Sequence, residues 1–83
     1  MSYEVRFEVS ALRQMMGLPE VAFDALVARV TNLADEPWDA WPVTAAEGSS
    51  EFRRTQFGEH GLLSFVADEA AQQIRIFDVL WAG

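Results

Sequence analysis

The 83-residue sequence contains no cysteine and no lysine, and it has a single histidine. Without cysteine there is no disulfide framework, no thiolate metal site and no thiol nucleophile, and a reducing compartment suits such a chain. One histidine among scattered carboxylates gives no spacing that would hold a metal, so no metal or other cofactor is expected. No apolar run approaches the ~20 residues needed to cross a bilayer, and the opening "MSYEVRFEVS" carries charge at alternate positions where a secretory leader would be apolar. The expectation is a cytoplasmic protein without a membrane partner. Basic residues are also scarce. Six arginines face 13 acidic side chains, giving a net charge of −7. Such a field repels phosphate at long range, whereas nucleic-acid binders gain affinity by neutralising phosphates along a basic stripe. Only Arg53, Arg54 and Arg75 are placed to lie near one another.

What is present is apolar material: 51% hydrophobic residues, 12% of the chain aromatic. That suffices for one small domain over residues 1–83, burying roughly 60% of the surface its unfolded chain would expose. "YEVRFEV" alternates strictly, with Tyr3, Val5, Phe7 and Val9 on one face and Glu4, Arg6 and Glu8 on the other, which predicts a half-buried strand. Ser10 can cap a short helix over "ALRQMM" closed by Gly17, and Pro19 suits the first turn of a second helix. There Phe23, Leu26, Val27, Val30 and Leu33 recur at helical spacing and predict a face packed on a sheet. Residues 35–50, with two prolines, a glycine and paired serines, predict a long loop carrying Trp38 and Trp41. Three strand-like runs follow, 51–57, 61–67 and 72–81, joined by "GEH" and "DEAA" into an antiparallel meander. The expected fold is α+β in the order β-α-α-β-β-β, two helices packed on one face of a mostly antiparallel four-stranded sheet.

This order, and above all "FRRTQFGEHGLLSFVADE" with its basic strand, glycine turn, apolar strand and acidic pair, resembles the RelE/ParE superfamily of toxins from bacterial toxin–antitoxin pairs. Members of the RelE branch cut messenger RNA on the ribosome. The resemblance implies phosphate-binding cations on the second strand, an arginine just after the turn, another after the last strand and a tyrosine or histidine near the C-terminus. Arg53 matches the first basic position; Thr55 stands at the second, Gly61 at the post-turn arginine, and "LWAG" where the terminal basic segment runs. Phosphoryl chemistry needs positioned cations and a proton donor or acceptor. A rearranged nuclease site would have to draw on Arg53, Arg54 and Arg75 with His60. The ParE branch, which poisons DNA gyrase, lacks that set as well.

Leu62 and Val66 are apolar on one face of the third strand and Leu63 and Phe65 on the other, while in the last strand Ile74, Ile76 and Leu80 alternate with Phe77, Val79 and Trp81. Both faces of the sheet therefore read as apolar. Parity groups Arg53, Thr55 and Phe57 with Gly61, Leu63 and Phe65 on the face that the resemblance implies would hold RNA. An exposed apolar patch of that kind marks an interface, unless the tryptophan loop folds over it. The expected partner surface comprises Arg53, Phe57, Leu63, Phe65, Trp38, Trp41 and Trp81. Its occupant is an antitoxin-like protein lying on the sheet or in the groove by the helices, or a second copy of the chain in a homodimer.

Overall fold

The computed structural model describes residues 2–42 and 52–82. Strand β1 (Glu4–Phe7) leads into helix α1 (Val9–Met16) and helix α2 (Glu20–Asp35); strands β2 (Trp41–Pro42), β3 (Phe52–Phe57), β4 (Gly61–Asp68) and β5 (Gln73–Trp81) complete the chain. The four expected strands form one sheet, and the two-residue β2 adds a fifth at its margin, giving the order β1-β5-β4-β3-β2. β1 runs parallel to β5, and the other pairings are antiparallel. The α+β class, the two helices and the element order agree with the sequence. The loop expected over 35–50 is shorter at its start, since Asp35 still belongs to α2 and Trp41–Pro42 form β2; residues 43–50 and the side chain of Trp41 lie outside the described residues.

Two helix starts differ from expectation. α1 begins at Val9, with Glu8 at the capping position and no side-chain cap, so Val9 leaves the strand and is exposed. Ser10 lies inside the helix and turns its hydroxyl to the Phe77 carbonyl, 3.4 Å away. Pro19 stands one place earlier than expected, at the capping position of α2, where its extended backbone (φ −62°, ψ 160°) hands the chain to Glu20. Glu20 then complements the positive end of the helix dipole.

Both helices cover the same face of the sheet. Ala11, Leu26 and Leu33 from the helices meet Phe57, Leu63, Phe65, Ala67, Ile74, Ile76 and Val79 in one buried cluster. Each large side chain there contributes about 1.5–3 kcal/mol through burial, so this cluster holds the helices down. The cluster also corrects an expectation. The face shared by Phe57, Gly61, Leu63 and Phe65 is the one under the helices and not an open platform. A register irregularity between Ser64 and Phe65 adds a residue to β5, so that Ile76 pairs with Phe65 but Asp78 with Ser64. Ile74, Ile76 and Val79 thereby all reach the core, although simple alternation puts Val79 opposite the two isoleucines. Phe77 absorbs the extra step.

Candidate functional site

The open face is built from the alternate residues of each strand. Arg54 and Gln56 come from β3, Leu62, Ser64 and Val66 from β4, Arg75 and Leu80 from β5, and Arg6 from β1 opposite Arg75. It is a mixed surface, not the apolar one expected. Ser64 is buried and accepts a hydrogen bond from Arg54 Nε at 3.3 Å. Arg75 Nε lies 3.4 Å from Glu8 Oε2, and Arg6 Nη2 lies 3.6 Å from Glu4 Oε2. Two of the three guanidiniums thus have a carboxylate beside them, which weakens any field this face presents to phosphate. Leu62 and Leu80 face each other across β4 and β5, with Leu80 half exposed.

Arg53, one position before Arg54, points to the covered side. Its Nη1 donates to the Ala40 carbonyl at 2.9 Å and its guanidinium stacks 4.8 Å from the Trp38 ring centre. Arg29 of α2 works beside it. Arg29 donates from Nε (3.1 Å) and Nη2 (2.8 Å) to the Thr55 hydroxyl, donates to the Asp39 carbonyl, and lies 3.5 Å from the Asp39 carboxylate. Two arginines therefore tie the strap 37–40 to α2 and β3. Thr55, which replaces a basic residue in the resemblance, is the buried acceptor of that tie. Gly61 packs its backbone against the Phe57 ring, where even a methyl group would come within 2.5 Å of a ring carbon; an arginine there would enter the core.

The three catalytic candidates do not meet. His60 is exposed in the turn after β3, 3.8 Å from Glu59, and lies beside Leu62, Leu80 and Trp81. Arg75 pairs with Val66, five residues along β4 from Gly61, about 17 Å at strand rise. Arg53 is on the opposite side of the sheet from Arg75. Of the expected partner-binding residues, Phe57, Leu63 and Phe65 are buried in the core at 2%, 0% and 0% exposure, whereas Trp38 and Trp81 keep about two-fifths of their surface in water (41% and 39%). No group of three or more metal-ligating side chains occurs among the described residues.

The apolar surface that is accessible lies elsewhere. Val5 and Phe7 of β1, Met15 of α1, and Phe23, Val27 and Val30 of α2 line a hollow of about 240 Å³. The sequence places Phe23 and Val27 on the packed stripe of α2, and both are over a third exposed. The stripe is wider than the sheet it covers, since β1 ends the sheet on that side, and periodicity alone does not disclose where the sheet stops.

No family model and no curated protein matches this sequence. Solved structures do match in fold. The toxin–antitoxin complex RelBE2 from Mycobacterium tuberculosis contains a chain with a TM-score of 0.84 and 21% identity, covering 99% of this chain and 100% of that one. The isolated E. coli RelE toxin gives 0.82 at 12% identity, covering 99% and 86%. The archaeal RelE–RelB complex from Pyrococcus horikoshii OT3 gives 0.76 at 13%, covering 100% and 98%. With the helices on one face, the parallel first and last strands and the meander between, the chain has the fold of these RelE toxin chains.

Proposed function

We propose that this chain is a divergent toxin module of a bacterial toxin–antitoxin pair, acting in the cytoplasm mainly by binding protein rather than by cleaving RNA. The observation that carries this reading is the accessible apolar hollow between β1 and the two helices, a surface suited to a polypeptide segment. The dispersal of Arg53, His60 and Arg75 adds weight, because general acid–base and electrostatic assistance act only over hydrogen-bond distances. The solved neighbours include toxins in complex with RelB-type antitoxins, so an antitoxin is the partner expected here.

Expression should arrest growth, and co-expression with the product of the adjacent small reading frame should relieve the arrest and yield a complex that co-purifies. Absence of both effects refutes the reading. The second reading is a ribosome-dependent endonuclease with a rearranged site, and one observation favours it: Arg54 and Arg75 share the open face. A translating extract decides between the two. Intact transcripts support protein binding, and cleavage that Arg54→Ala abolishes establishes the nuclease. The third reading is a non-toxic homodimeric interaction module. For it the apolar sheet face is no longer available, because that face is the core; a concentration-independent monomer in sedimentation excludes it.

A further inference from the structure

The hollow beside α2 is asymmetric in charge. On α2, the residues one step round from Phe23 and Val27 are Glu20, Asp24 and Asp35, which fall on a common strip along the helix shoulder. All three are exposed. Asp35 accepts a hydrogen bond from the neutral Ser2 hydroxyl at 3.0 Å, and none of the three has a cationic partner among the described residues. At β1 the charges are matched, Arg6 lying beside Glu4 and Arg75 beside Glu8. Arg13 of α1 projects about 160° away round the helix from Met15, the residue by which α1 enters the hollow. Arg29, the other cation of the helices, is turned to Thr55 and Asp39 on the far side. An apolar floor is thus bordered on its α2 side by carboxylates without a cationic partner among the described residues, on a molecule of net charge −7.

We infer that the occupant of this hollow is a cationic amphipathic segment of a partner protein, with apolar side chains entering among Phe7, Phe23 and Val27 and lysines or arginines meeting Glu20, Asp24 and Asp35. The inference rests on the partner reading above and adds the partner's charge. Charge complementarity sets encounter rate and excludes like-charged competitors, while the apolar anchors set residence time. An acidic segment of the same shape would meet repulsion along the whole shoulder.

The test uses the full chain and two synthetic peptides with identical leucine positions, one carrying lysine and the other glutamate at every remaining site, titrated by calorimetry with chemical-shift mapping. The lysine peptide should bind at least ~10-fold more tightly, shift the signals of Phe23 and Val27, and lose most of its affinity against Val27→Gln. The combined variant Glu20→Gln, Asp24→Asn, Asp35→Asn should weaken it ~10-fold and flatten its salt dependence. Equal binding of the two peptides, binding of neither, or lysine-peptide binding that ignores Val27→Gln overturns the inference, the last by revealing attraction to the acidic surface at large. An antitoxin that relieves growth arrest through an acidic segment in this hollow overturns the charge assignment and leaves the toxin reading intact. Absence of growth arrest with the lysine peptide still seated there does the reverse.

Discussion

Gly61 is where one missing methyl group decides the packing of a hairpin. Its Cα rests on the Phe57 ring, and a Cβ would sit 2.5–2.6 Å from three ring carbons. That ring is itself buried against the core and has nowhere to go. Gly61→Ala should therefore lower the unfolding free energy by about 1–3 kcal/mol, seen as an earlier urea midpoint with unchanged slope. Thr55 makes a second such point. Replacing it by valine keeps the shape and removes the acceptor of two Arg29 hydrogen bonds, so Thr55→Val should cost about 1–3 kcal/mol. A strap held by Arg29 and Arg53 should also loosen, which fluorescence of Trp38 would report. Arg53 is the residue whose role changes most between sequence and structure: matched by resemblance to a phosphate-binding position, it spends its guanidinium on Trp38 and the Ala40 carbonyl.

At the scale of elements, α1 tests whether a capping residue identified by type alone is one. Ser10 suits that role by chemistry, but the helix starts at Val9 because β1 ends at Phe7 and Glu8 N–H still bonds to the Ile76 carbonyl of β5. A true cap costs 0.5–2 kcal/mol to remove; Ser10→Ala should change stability by less than about 0.5 kcal/mol in thermal or urea unfolding. The strands teach the larger lesson. The existence and chain order of β1, β3, β4 and β5 and their hairpin turns were legible from alternation and from the glycine at 58, which takes a φ of +61°; β2 was not, because its two residues, one a proline, fall within the expected loop. Which face met the helices was not legible, because β4 is apolar on both sides and the choice turns on a one-residue parity. The irregularity between Ser64 and Phe65 leaves no mark in composition, yet it is what carries Val79 into the core. The same parity separates Arg53 from Arg54, so a match made on sequence position alone selected the wrong neighbour for the open face. The hollow by α2 went unread for a related reason: Phe23 and Val27 obey the helical period, and only the end of the sheet at β1 leaves them uncovered.

Over the whole molecule, 13 acidic side chains against six arginines must be held in a small volume. Self-repulsion of this size destabilises the compact state. Raising ionic strength from 0.01 to 0.15 M contracts the screening distance from about 30 to about 8 Å, so the thermal midpoint should rise by a few degrees, and a midpoint that falls or stays fixed contradicts the repulsion argument. The sheet adds a constraint of another kind. Among the described residues β1 has its only ladder with β5, and Glu4 stands beside Gln73, 69 positions later. At 5–20 residues per second the nascent chain extends for about 3–14 seconds after β1 has been made before its neighbour exists. During that interval the backbone of β1 has no strand to pair with, and the first strand made is among the last to join the sheet.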